Sequence, residues 1–180
     1  MSAATLTWRL ALGCDDAGYE YKERIKKDLD ADPRVLEIVD VGVEPDDPTP
    51  YSSIALIAAQ QVAAGTVDRA ILICGTGIGM AITANKVPGV RASTAHDSYS
   101  CERSVLSNNC QVLALGERVI GIEVARRLVS DWLGYVFDER SPSSQKVDVI
   151  ETYEHSLSQL VDAGAASRTR RTARTTKRRG

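Results

Sequence analysis

Short apolar runs alternate with longer mixed stretches along almost the whole chain. Trp8 to Gly13 is a brief apolar run closed by glycine and predicts a first strand. Gly18 to Leu29, rich in Glu and Lys, predicts a solvated helix closed by Asp32-Pro33. Val35 to Val41 predicts a second strand. The stretch Gly42 to Pro50 holds three prolines and predicts an irregular loop. Tyr51 to Ala64 is an Ala-rich helix stopped by Gly65, and Arg69 to Ile73, the most apolar run, predicts a central third strand. Further along, helices are expected over Ile78 to Lys86, Ser98 to Leu106, Ile122 to Leu133 and Val147 to Leu160. Strands are expected over Val90 to Ala95 and Val112 to Leu115.

Strand–helix alternation at this spacing implies right-handed crossovers and a five-stranded parallel sheet sandwiched by helices, an α/β fold. Open sheets of this kind bind ligands outside the carboxyl ends of their strands. The residues at those places are Cys14-Asp15-Asp16, Cys74-Gly75-Thr76, His96-Asp97 and Gly116-Glu117-Arg118.

Composition narrows the class. Hydrophobic residues make up 43% of the 180 and aromatics only 5%, a globular balance suited to buried parallel strands under Ala-rich helices. No apolar run approaches the roughly 20 residues of a membrane span. Met1 to Trp8 lacks the basic start and apolar stretch of a secretory signal. The expectation is a cytoplasmic protein with reduced thiols and no membrane partner. Cys14, Cys74, Cys101 and Cys110 form no CxxC pair and only two histidines accompany them, which argues against zinc.

The formal charge of −2 hides an asymmetry. Seven Arg or Lys and no acid lie from Arg168 onward, leaving 15 basic against 24 acidic residues, a net of −9, in the rest. The expected organisation is one domain over 1–164 and a disordered basic tail over 165–180. An acidic body argues against specific nucleic-acid binding.

The stretch carrying chemistry is Ile71-Leu-Ile-Cys-Gly-Thr-Gly-Ile-Gly-Met80, a buried strand running into a glycine-rich turn and a helix. Glycines at 75, 77 and 79 leave backbone N–H groups unshielded, so the turn can hold a phosphate or a developing oxyanion. A dinucleotide fingerprint would need Gly where Met80 stands, and no GK[ST] follows to make a P-loop. Two readings remain at this level: a tight structural turn with a buried Cys74, or a thiol base beside an oxyanion loop. Thiolates are favoured at helix N-termini, which allows such a thiol to move protons.

Taken together, Cys74-Gly-Thr-Gly-Ile-Gly-Met80 with Ala81 to Ala92, Gly13-Cys-Asp-Asp-Ala-Gly18, Ser107-Asn-Asn-Cys-Gln-Val-Leu113 and Gly116-Glu-Arg-Val-Ile-Gly121 resemble the motifs of the ribose-5-phosphate isomerase B and galactose-6-phosphate isomerase family. The resemblance runs from about Leu10 to Leu160. It implies a Rossmann-like three-layer sandwich, a homodimer with active sites shared between subunits, and aldose–ketose isomerisation of a sugar phosphate of the ribose 5-phosphate type through a cis-enediolate. No cofactor and no metal are implied. By the same resemblance Cys74 is the proton-shuttling base and Thr76 assists. The backbone of Gly75, Gly77, Ile78 and Gly79 and the side chain of Asn108 stabilise the enediolate oxygens. Asp15 binds sugar hydroxyls, and Arg118, Arg140 and Lys146 bind phosphate.

Two substrate-facing positions depart from the family pattern. Asp16 stands where a phosphate-binding histidine is usual, and an ionised carboxylate repels phosphate. Ser107 stands where a histidine opens the sugar ring, and a hydroxyl makes a poor general acid. A four-carbon sugar phosphorylated on its terminal oxygen closes no five-membered ring and needs no ring opening. A tetrose or tetrulose phosphate is therefore the alternative substrate, and a sugar-phosphate-binding pseudoenzyme the alternative class. Tyr51 and His96 read as surface residues near the site loops.

Overall fold

The computed structural model describes residues 6–157, 159 and 160. The boundary expected at 164 and the basic tail over 165–180 lie outside these described residues. The elements run β1 (Trp8–Cys14), a 3-10 turn (Asp16–Gly18), α1 (Tyr19–Asp30), β2 (Val35–Asp40), α2 (Tyr51–Ala63), β3 (Arg69–Cys74), α3 (Ile78–Ala84), β4 (Ala92–Thr94), α4 (Ser98–Leu106), β5 (Val112–Gly116) and α5 (Ile122–Trp132). A sixth helix, α6, covers 144–157.

All five strands are parallel, in the order β2-β1-β3-β5-β4. The order reverses at β1, whose neighbours β2 and β3 lie on opposite sides, which makes a crevice at the carboxyl ends of β1 and β3.

Every residue of β3 is buried, as its unbroken apolar run requires at the centre of a sheet covered on both faces. Its side chains alternate between two cores. Ile71 and Ile73 pack with Leu10, Leu12, Leu113 and Leu115 under α1, α4 and α5. Ala70, Leu72 and Cys74 face α2 and α3. On this second face Ala55, Ala58, Ala59 and Ala84 are fully buried, and their small side chains let the helices approach closely.

At the amino ends of the strands, buried Arg69 lies between the rings of Trp8 and Trp132. It donates to the carbonyls of Trp132 and Tyr135, capping the end of α5. Burial pushes its guanidinium down to about 10, against a weaker upward pull from Asp68.

Differences from the sequence expectation are local. The 3-10 turn precedes α1, because Gly18 packs against the Ile73 carbonyl, where a side chain would collide. The fourth strand has three residues instead of six, since it pairs only with β5 over Ala92 to Thr94. The third helix ends at Ala84, where the Asn85 side chain turns to bond the backbone of Ala81 and Ala92. Strands 1, 3 and 5 each run one residue further than expected, so Cys14, Cys74 and Gly116 are strand ends. Among the described residues no helix is long and apolar enough to cross a membrane.

Candidate active site

Cys74 ends β3 at the carboxyl edge of the sheet and is 5% exposed. Its Sγ accepts the N–H of Gly77 at 3.1 Å. Gly77 adopts φ +75°, and a β-carbon there would stand 3.0 Å from the Leu115 backbone, so glycine is required twice over. The next amide, of Ile78, donates to Thr76 Oγ1 at 3.4 Å. Two amides of the expected anion loop are thus turned to groups within the loop. Thr76 itself is exposed. Gly79 lies against the ring of Tyr51, leaving no room for a side chain.

The turn after β5 backs this loop. Gly116 pairs in register with Cys74, and a β-carbon on it would lie 2.7 Å from Thr76 Cα. Glu117 N–H donates to the Cys74 carbonyl at 2.9 Å and Arg118 N–H to the Gly75 carbonyl at 3.0 Å. The Arg118 side chain passes over Gly75, its Cδ 3.4 Å from where a β-carbon would stand. On the other side, Thr94 Oγ1 donates to the Gly77 carbonyl at 3.2 Å.

Two carboxyl groups flank the loop. Asp15 follows β1 and Glu117 follows β5, the two strands on either side of β3. Among the described residues Asp15 Oδ1 and Glu117 Oε2 are buried without a hydrogen-bond partner. Burial raises Asp15 above the usual carboxylate range, with Asp16 adding to the rise. Burial also raises Glu117, although the Tyr21 backbone opposes it. Asp15, Asp16, Asp46, Asp47 and Tyr51 line an open cavity of about 490 Å³. No group of three or more His, Cys, Asp or Glu among the described residues is arranged to hold a metal.

Ser107, Asn108, Arg140 and Lys146 are not brought to this edge within one chain. Ser107 and Asn108 lie between α4 and the start of β5, at the amino end of the sheet. Cys74 is at the carboxyl end, and the five residues of β5 span about 15 Å at a strand's rise. Asn108 Nδ2 donates to the Arg103 carbonyl, and its own carbonyl accepts from Arg91 Nε. Arg91, 9% exposed, also pairs with Glu151 of α6. Arg140 follows α5, is 92% exposed at its side chain and pairs with Asp138. Lys146 is exposed near the start of α6.

Of the two residues read as surface from the sequence, Tyr51 is exposed and His96 is not. His96 is half-buried, and its Nε2 accepts the N–H of Gly116 at 2.9 Å. Burial lowers its pKa, with Asp97 pulling the other way. Tyr51, although 43% exposed, is the wall of Gly79. The only signal for His96 was its position just past the fourth strand.

A family model described as Ribose/Galactose Isomerase matches residues 10–150. The D-erythrulose-4-phosphate isomerase 2 of Mycolicibacterium smegmatis is 58% identical over 147 residues, covering 81% of this chain and 97% of that one. The D-erythrulose-4-phosphate isomerase of Pectobacterium atrosepticum is 43% identical over 147 residues, 81% and 95% of the two chains. Among solved structures, the Leishmania infantum type B ribose 5-phosphate isomerase superposes with a TM-score of 0.80 at 32% identity, covering 84% of this chain and 99% of that one.

Proposed function

The chain belongs to the ribose/galactose isomerase family, and from that premise we propose that it interconverts the ketose and aldose forms of a four-carbon sugar phosphate of the D-erythrulose 4-phosphate kind. The observation that carries the four-carbon reading is the 58% identity to a protein named for that substrate, over 97% of its length. Ser107 supplies the chemical reason. With the terminal oxygen phosphorylated, a tetrose has no hydroxyl left to close a furanose ring, and an enzyme for it needs no ring-opening acid at 107.

In the proposed reaction the Cys74 sulfur takes the proton from C1 of the ketose, giving a cis-enediolate, and returns a proton at C2. The hydroxyl proton on O1 moves to O2, so the aldose forms with no external oxidant or reductant. Turn amides other than those of Gly77 and Ile78, with Thr76, stabilise the enediolate oxygens, and Asp15 accepts a substrate hydroxyl. Arg118 holds the phosphate away from the acidic cavity of Asp15, Asp16, Asp46 and Asp47, where like charge disfavours it.

We further infer a homodimer with shared sites. Asn108 and Ser107 lie at the wrong end of the sheet to meet Cys74 of their own chain, and Arg140 and Lys146 follow α5, outside the strand-end turns around it. A second copy, turned end for end, brings them to it. Ile78 and Ile82 of α3, which follows the glycine turn, and Ile57 of the neighbouring α2 are exposed, apolar side chains suited to such a contact.

The test is an isomerisation panel over four-, five- and six-carbon sugar phosphates. D-erythrulose 4-phosphate is expected to give the highest kcat/KM. Ribose 5-phosphate as the best substrate overturns the four-carbon reading, and binding without turnover across the panel overturns catalysis.

A further inference from the structure

Resting on the isomerase reading, we propose that His96 is a positioning residue, holding the turn after β5 in the register that sets the back wall of the Cys74 loop. A chain of contacts connects it to the carboxyl end of β3. The imidazole Nε2 accepts Gly116 N–H at 2.9 Å. Gly116 is the register partner of Cys74, and its Cα packs against the Thr76 backbone so closely that no side chain fits between them. The two residues after Gly116 then donate to the Cys74 and Gly75 carbonyls. One imidazole acceptor therefore fixes the first amide of a turn whose next two amides clamp the catalytic strand end.

The fold explains why a side chain is needed here. β5 is followed on its outer side by β4, and β4 stops at Thr94, two residues before His96. The Gly116 amide therefore has no strand carbonyl opposite it. A buried N–H left unpaired is costly, and the ring nitrogen takes the place of the missing ladder acceptor. Accepting at Nε2 requires a neutral ring protonated at Nδ1. Burial favours that neutral form.

The test has a spectroscopic arm and a kinetic arm. In protein labelled with 15N-histidine, His96 and exposed His155 are the only two ring systems. At neutral pH, His96 should show an unprotonated Nε2 and a protonated Nδ1. An Nε2–H tautomer overturns the proposal, whether or not any sugar phosphate is turned over. In the kinetic arm, on whichever panel substrate is best, His96→Phe keeps the bulk and removes the acceptor. It should lower kcat about tenfold with KM changed less. His96→Gln, whose amide oxygen can accept near the Nε2 position, should recover most of the loss. Wild-type kcat in His96→Phe, or no recovery in a His96→Gln variant with an unchanged thermal transition, overturns the positioning role.

Discussion

The sulfur of Cys74 lies 3.1 Å from the amide nitrogen of Gly77, and the hydrogen bond between them runs from backbone to side chain. It fixes the thiol's direction within a turn that admits only glycine at 77. The sulfur and the loop around it are therefore one local structure, built from six consecutive residues of sequence.

Replacing Cys74 with Ala or Ser should lower kcat by at least about two orders of magnitude, the lower end for a general base. The fold should be retained, because the residue sits at a strand end and Ser keeps an acceptor for Gly77. Cys101, fully buried beside the Leu128 carbonyl, and Cys110 are far from this turn in the chain. Their conservative substitutions should leave turnover within a few-fold of wild type. Near-normal turnover in Cys74→Ala would remove the sulfur from the mechanism.

Much of this loop was legible in the sequence. A buried strand, glycines at alternate positions and a following helix are local patterns, and the structure follows them over Arg69 to Ala84. His96 was not legible. Its role depends on β4 ending at Thr94, and three residues carry no periodic signal from which to read that end. The separation of Asn108 from Cys74 was readable in principle. A residue between a helix and the next parallel strand must lie at the amino edge, whatever its motif suggests. Tyr51 was hidden for another reason, since its contact with Gly79 joins helices that follow different strands.

Asp15→Asn should separate stability from function. Burial raises the folded-state pKa of Asp15 above its ordinary value, so the ionised native protein carries a penalty. That penalty is complete above the folded pKa and vanishes as pH falls through the ordinary carboxylate value. The variant should therefore melt a few degrees higher than wild type at neutral pH, with the advantage fading toward pH 4. Its KM for the sugar phosphate should rise about tenfold, from loss of a charged acceptor for a hydroxyl. Equal melting curves at pH 7, or an unchanged KM, would count against this account.

Ser107→His bears on the choice of sugar. Restoring an imidazole should raise kcat/KM on ribose 5-phosphate at least about tenfold, by supplying a general acid for ring opening. Turnover of D-erythrulose 4-phosphate should stay level or fall, because that substrate has no ring to open. A gain on both substrates alike, or on neither, would detach Ser107 from substrate choice.

Shared sites make a sharper prediction through mixed dimers. Cys74→Ala and Asn108→Ala should each be nearly inactive alone, since every site then lacks one of the two groups. If each site draws Cys74 from one chain and Asn108 from the other, a mixed dimer contains one site with both groups intact and one with neither. Random mixing of equal amounts makes half the dimers mixed, so activity should recover to about a quarter of wild type by symmetry alone. The measurement is turnover after co-expression or after joint unfolding and refolding of the two variants. If Cys74 and Asn108 served the same site from one chain, every site in the mixture would still carry one lesion and no activity would return. Recovery near a quarter therefore requires crossed sites, the arrangement proposed above for two residues at opposite ends of the sheet.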